Sequence, residues 1–261
     1  MTIYDEVSRF LEQQFRDLEG MLPKPNKVDL GAGPTLRYEH QNAETAILQL
    51  LARYISGLNA TRMLLYQGFA QEMGALFRML DEYFEDILFL GLSINSGKFL
   101  SLRKDYLENF FQEEFDDPAN AFRSTQSRKI VPRKKIHGAL AHFGQDNLNP
   151  SDAKQNHRTM SQAYSGYVHG TSVHIIEMIE GDKHTYLLNG MRGTLRQQQR
   201  GSEYWNYASR GIDIMIMVCK VIGTEDLVDE AQRFRDYFES RTGQSSKGNA
   251  EALVKKMKRS R

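Results

Sequence analysis

Several features that mark particular classes of protein are scarce in this chain. Its 261 residues contain one cysteine, Cys219, so no intramolecular disulfide can form and a reducing compartment is indicated. The formal net charge is +1, so no overall field attracts the chain to nucleic acid or to an anionic membrane. No apolar run is long enough to span a bilayer, and the N-terminus has no signal-peptide pattern. We therefore expect a cytoplasmic protein without a membrane partner, in which Cys219 is a small buried hydrophobic residue.

Apolar residues recur at helical spacing over most of the chain, which predicts an all-α helical bundle of about seven or eight helices. The predicted helices cover about residues 3–22, 43–66, 69–94, 98–115, 133–142, 151–170, 196–222 and 225–241. Residues 23–41, with three prolines and two glycines, are expected to form a loop, and residues 181–190 a short strand or hairpin. We predict a single domain over residues 1–242, with its core at about 43–241, and a flexible basic tail over 243–261.

The most specific polar pattern lies between Gln155 and Gly170, a stretch that we call the His-Gly segment. Arg158, Ser165 and His169 are separated by seven and four residues and so share one side of the predicted helix. Ser165 and His169 are one turn apart, within hydrogen-bond reach, whereas Arg158 and His169 are separated by about 16 Å along the axis. The pattern indicates either a histidine that acts as general acid or base, or a core histidine satisfied by Ser165 or a tyrosine.

A second polar group is predicted on the helix over residues 69–94. Arg78, Glu82 and Glu85 flank its apolar face at helical spacing. If this helix lies beside the His-Gly segment, Arg78 could hold an anion while a carboxylate orients His169. The alternative is a surface or half-buried salt bridge.

Together these two patterns resemble a known group of proteins. Arg78-x-x-x-Glu82, followed by Tyr164-Ser-x-Tyr-Val-His-Gly170, is similar to motifs of a family of uncharacterised bacterial helical proteins and, distantly, to HEPN domains. HEPN domains are helical bundles that bind nucleotides or cleave RNA. The resemblance covers about residues 45–220 and implies an often dimeric, HEPN-like bundle that acts on RNA or a nucleotide without a metal, in stress or phage defence.

The resemblance also implies roles for individual residues. His169 would be the general acid or base, and Arg78 and Arg158 would hold the phosphate. Orienting roles would fall to Glu82 and Ser165, and ligand contacts to Tyr164 and Tyr167. The chain departs from the HEPN ribonuclease pattern because ten residues separate Arg158 from His169, a longer spacing than in that family. Arg78, on another helix, is the candidate to replace the missing arginine, or Arg158 and His169 meet across a dimer interface.

Basic residues are concentrated in two places. One cluster follows the helix over 98–115 and includes Lys129, Arg133, Lys134 and Lys135, and the other is the tail. Either cluster contacts phosphates, or it simply keeps a surface segment solvated. The spacing of His174-x-x-Glu177 occurs once rather than on two helices, so neither a metal nor a cofactor is expected. Two functions stay open: an enzyme or effector acting on RNA or a nucleotide, and a non-catalytic helical module that binds a protein partner or a second copy of itself.

Overall fold

The computed structural model describes residues 2–31, 33–127, 130–143, 159, 162–180 and 184–245. Within these ranges it contains nine α-helices: α1 (Ile3–Met21), α2 (Ala43–Gln67), α3 (Ala70–Ser96), α4 (Leu100–Phe111), α5 (Arg133–Phe143), α6 (Ser165–His169), α7 (Ser172–Ile175), α8 (Leu195–Ile222) and α9 (Glu225–Thr242). Two antiparallel hairpins complete the described part: β1 (Asn26–Asp29) with β2 (Pro34–Arg37), and β3 (Ile179–Glu180) with β4 (Thr185–Tyr186). The prediction of an all-α helical bundle is confirmed.

The long helices begin and end where the sequence supplies capping groups. At the start of α1, Thr2 accepts a hydrogen bond from the Asp5 backbone N–H, and the Asp5 carboxylate accepts one from the Thr2 N–H. The side chain of Asn42 accepts a bond of 2.9 Å from the Thr45 N–H at the start of α2. The same helix ends at Gly68, whose φ of 78° favours glycine. Such local caps explain why the bounds of α2 are predictable from sequence.

The centre of the bundle consists of α2, α3 and α8, and α1 and α9 pack against α8. The Phe77 ring stacks on the Tyr207 ring with 4.1 Å between centroids, which joins α3 to α8. Trp205 stacks on Phe238 at 5.7 Å and joins α8 to α9. Cys219 is buried in the same core, as expected. The first helix also contributes to this core, through Val7, Leu11 and Leu18.

The segment over residues 23–41 is not the irregular loop that was expected. β1 pairs with β2, with Asn26 opposite Arg37 and Asp29 opposite Pro34. Pro34 lies at the end of a strand in a two-stranded hairpin, where its missing N–H is tolerated. The strands were not predicted because prolines and glycines in this segment are typical of loops. The short strand or hairpin expected over residues 181–190 is confirmed in part: β4 lies in this range, but its partner β3 precedes it. Residues 181–183 lie outside the described part.

The predicted helix over 151–170 differs most from what is observed. Residues 144–158, 160 and 161 are outside the described ranges, so Arg158 is not placed. In the described part a turn at Tyr164, with φ −105° and ψ −3°, separates residues 162 and 163 from α6. The continuous helix is therefore a wrong prediction at this point, since Ser165 begins a new short helix. Residues 246–261 of the predicted tail also lie outside the described ranges.

Candidate functional site

Helix α6 packs closely against α3, and a glycine makes the contact possible. A Cβ atom added to Gly74 would lie 2.6 Å from two carbons of the Tyr167 ring, nearer than real Cβ contacts come. One turn further along α3, the Phe77 ring meets the Tyr164 ring edge-on at 5.5 Å. The two tyrosines of the His-Gly segment thus face the bundle and fix where α6 lies.

A buried arginine on α8 holds these tyrosines. Arg200 is only 2% exposed, and its guanidinium carbon lies 4.6 Å from the Tyr167 ring centre and 5.7 Å from that of Tyr164. It donates hydrogen bonds to the Ala70 carbonyl (3.1 Å) and to the Glu203 carboxylate (2.5 Å). Ala70 begins α3, and Glu203 lies one turn from Arg200 on α8. Arg200 therefore links α8 both to α3 and to the tyrosines of the His-Gly segment.

Two carboxylates complete this arrangement. The Tyr167 hydroxyl donates to Glu177 at 2.6 Å, and the Tyr164 hydroxyl donates to Glu203 at 3.2 Å. Burial raises the pKa of both tyrosines, and the neighbouring carboxylates raise it further, so both hydroxyls keep their protons at neutral pH. We call Arg200, Tyr164, Tyr167, Glu177 and Glu203 the Arg200 network. In it the tyrosines predicted to bind a ligand serve as hydrogen-bond donors that anchor α6.

His169 lies at the opposite, exposed end of this short helix. It is the last residue of α6, and Gly170 follows it in the left-handed conformation with φ 65°. Its side chain is exposed and forms no hydrogen bond or ion pair with another described residue. The hydrogen bond to Ser165 that the spacing allowed is not formed. The enclosed, satisfied core histidine is therefore also absent, and the imidazole is free to meet a ligand.

A different histidine fills the structural role. The His174 ring packs edge-on against the Tyr167 ring at 4.3 Å, and its Nδ1 lies 2.7 Å from the Thr171 hydroxyl. The carbonyl of Ala163 lies 3.3 Å from Nε2. His174 and Glu177 do not recruit a third ligand, since the described residues contain no group of three or more His, Cys, Asp or Glu side chains able to hold a metal ion.

The second polar group predicted on α3, Arg78, Glu82 and Glu85, does not form one site but separates into pairs with different partners. Arg78 forms a salt bridge of 2.6 Å with Glu82, and neither bonds to His169. Its Nη1 atom is buried and has no hydrogen-bond partner in the part of the chain that the structure describes. A carboxylate that orients His169, as the sequence suggested, is not found at Glu82. Arg78 keeps a free donor, and the buried face of its guanidinium is incompletely satisfied.

Glu85 faces α5 rather than the His-Gly segment. It accepts a hydrogen bond from Arg133 and lies 3.0 Å from the His137 Nε2. Arg133 also pairs with Asp86, whose pKa is raised by burial although the guanidinium opposes the shift. Arg133 was predicted to contact phosphate, but two carboxylates already occupy it. Lys134 and Lys135 are exposed and form no ion pair within the described ranges, whereas Lys129 lies outside them.

Three charged residues hold α6, and the sequence analysis missed two of them, Arg200 and Glu203; it considered the third, Glu177, only as a metal ligand beside His174. Arg200 and Glu203 are three residues apart, a spacing that brings side chains together on a helix and that could have marked them as a pair. A second missed pair, Asp81 and Arg210, joins α3 to α8 at 2.6 Å. Asp81 and Arg210, like Arg200 and Tyr167, lie far apart in sequence, so only the packing of the helices reveals these contacts.

No described helix has the length and apolar character needed to cross a membrane. Comparison with protein-family models, with curated proteins and with solved structures gives no match. The resemblance to HEPN domains therefore stays a prediction.

Proposed function

We propose that this protein acts on RNA or a nucleotide, with His169 as the general acid or base. The observation that supports the proposal is the contrast between the two ends of α6. A buried arginine with two carboxylates and two tyrosines fixes the inner face of a five-residue helix. The imidazole at the outer end of this helix is exposed and forms no hydrogen bond with a described residue. Burying charge carries a desolvation cost, and such networks are best attested where they specify one geometry. An accessible imidazole on a helix of fixed position suits proton transfer.

The phosphate contacts in this proposal come from the chain's free cationic groups. Lys134 and Lys135 are exposed on α5 and form no ion pair with described residues, so these two lysines are the accessible cations. Arg78 is paired with Glu82, and its Nη1, which lacks a partner among the described residues, is buried. Arg158 keeps its proposed role as a phosphate contact, whereas Ser165 and Glu82, which do not bond to His169, have no orienting role in this proposal. Positive side chains hold the phosphate backbone whatever the base sequence, so the affinity should weaken as salt increases.

The test is RNA degradation by purified protein in the presence of EDTA. Wild type is compared with His169→Ala and with His40→Ala, which removes another exposed histidine and serves as the matched control. Cleavage that is lost only in His169→Ala supports the proposal. The absence of cleavage by the wild-type protein, or full activity of His169→Ala, overturns the catalytic role of His169.

A second candidate function is a helical interaction module, and a specific surface favours it. Large apolar side chains are exposed between residues 168 and 188, namely Val168, Val173, Ile175, Ile176, Tyr186 and Leu188. Where exposed apolar side chains lie side by side, they mark interfaces with other proteins or with a second copy. Light scattering of the wild type and of Val173→Glu tests self-association: a dimer that dissociates in the variant supports this function, and a monomeric wild type removes the homodimer.

A further inference from the structure

We infer that a pocket between α3, α4 and α5 binds an unpaired nucleobase and prefers guanine. The inference rests on the proposed function, since it names the part of an RNA or nucleotide that the protein would recognise. The pocket has a volume of about 320 Å³, which falls in the range of small-molecule sites. Its lining combines carboxylates, an aromatic ring and aliphatic side chains, chiefly Glu82, Asp86, Phe110, Val131, Arg133 and Ile136.

One carboxylate of the lining has an oxygen to spare. Asp86 is held by the Tyr106 hydroxyl at 2.9 Å and by Arg133, so its hydrogen-bonding capacity is largely used. Glu82 pairs through Oε1 with Arg78, and no described residue donates a hydrogen bond to its Oε2. The Glu82 side chain is 40% exposed, so a ligand can reach it. An ionised carboxylate only accepts hydrogen bonds, so it selects a ligand edge that donates.

The walls suit a flat, partly apolar group. Phe110 is half-buried, and its ring is stacked at 15° to the Tyr106 ring, which restricts its orientation. Val131 and Ile136 provide aliphatic surface beside it. Single-stranded bases are recognised by contact with aromatic side chains together with hydrogen bonds to their Watson–Crick edges.

The charges in and around the pocket favour a neutral base inside it and a phosphate outside it. Two carboxylates and one guanidinium line it, so an anion inside would meet net negative charge. Lys134 and Lys135 lie in the same helical turn as Arg133 and are exposed without ion pairs to described residues. Their flexible side chains offer positive charge to a phosphate that remains outside the pocket. A nucleotide can therefore place its base in the pocket and its phosphate beside Lys134 and Lys135, which keeps the phosphate away from the carboxylates.

Guanine is the base whose edge fits the Glu82 carboxylate. Its N1–H and its exocyclic amino group lie side by side, so one can donate to Oε2 and the other to the second lone pair of Oε1, beside Arg78. Uracil presents a single donor between two acceptors, and inosine lacks the exocyclic amino group. Good bidentate base contacts discriminate by about tenfold or more against the wrong base.

The experiment measures anisotropy of labelled single-stranded oligouridine with one central guanosine, inosine or uridine. His169→Ala protein is used so that the oligomer survives. We expect the guanosine oligomer to bind about tenfold more tightly than the other two, and Glu82→Gln to abolish the preference. Glu108→Gln is the matched control, since Glu108 is an exposed residue of α4 paired with Lys104, and it should keep the preference.

Unlabelled guanosine monophosphate as competitor distinguishes the two sources of the base. If it binds as tightly as the guanosine oligomer and displaces it, the pocket belongs to a free nucleotide. If it displaces the oligomer only weakly, the pocket belongs to RNA. Equal binding of all three oligomers overturns the inference and leaves the proposed function standing. If neither oligomers nor guanosine monophosphate bind, and wild type does not cleave RNA, both are overturned. The inosine comparison changes only the ligand, so a folding defect in Glu82→Gln does not affect it.

Discussion

The guanidinium carbon of Arg200 lies 4.6 Å from the centre of the Tyr167 ring, so a residue of α8 anchors a helix that precedes it by some thirty residues in the chain. This contact places the inner face of α6 and leaves His169 at its exposed end. Any ligand that meets His169 therefore meets the end of a helix whose position is fixed by a buried charge.

Arg200→Met should destabilise the protein strongly, because Glu203 and the Ala70 carbonyl lose their buried donor. Breaking a buried pair by removal of one partner typically costs about 3–5 kcal/mol. Arg16→Met is the control, since the Arg16–Glu19 pair is exposed and its loss should cost no more than about 1 kcal/mol. Urea unfolding measures both, and equal costs would contradict the anchoring role of Arg200.

Gly74→Ala should loosen α6, since the added Cβ would lie 2.6 Å from the Tyr167 ring. Overpacking of this kind costs about 1–3 kcal/mol. Gly20→Ala in α1 has open space around its new methyl group and should be neutral or slightly stabilising. Thermal unfolding compares the two, with limited proteolysis of the region around α6 as a second readout. A Gly74→Ala protein as stable as Gly20→Ala would show that α6 is not tightly docked.

Asp81 should make stability depend on pH. Burial raises its pKa from 3.8 to about 6, although the Arg210 guanidinium opposes the shift. The folded carboxyl then holds its proton more tightly than the unfolded one. Its contribution to the free energy of unfolding is complete below pH 3.8 and is lost as the pH rises to about 6, by at most about 3 kcal/mol. Asp81→Asn should flatten this decline, and NMR titration of the carboxyl should give the raised pKa directly.

Cys219 should resist alkylation in the folded protein. Burial raises the pKa of its thiol to about 12, so the thiolate that reacts is rare at neutral pH. Iodoacetamide should therefore modify the protein slowly in buffer, through transient opening, and quickly in urea. Rapid modification of the native protein would place Cys219 at an accessible site and contradict its position in the core.

The architecture was predictable where the determinants are local. Apolar periodicity and the caps at Asn42, Gly68 and Thr224 lie within a few residues of the helix ends that they specify, and those ends were predicted closely. The β1–β2 hairpin was missed because its short strands contain proline and have little apolar alternation. Helix periodicity alone also failed to locate the turn at Tyr164.

The candidate site was less predictable because its contacts join distant segments. The sequence by itself determined the helical class, the buried cysteine, the Arg78–Glu82 pair and the residue types of the His-Gly segment, all of which depend on spacings of a few residues. Tertiary structure alone decided that Arg200 meets Tyr167, that Glu85 turns to His137, and that His169 faces solvent. These outcomes depend on how whole helices pack, and no local pattern encodes which side chain a distant helix presents.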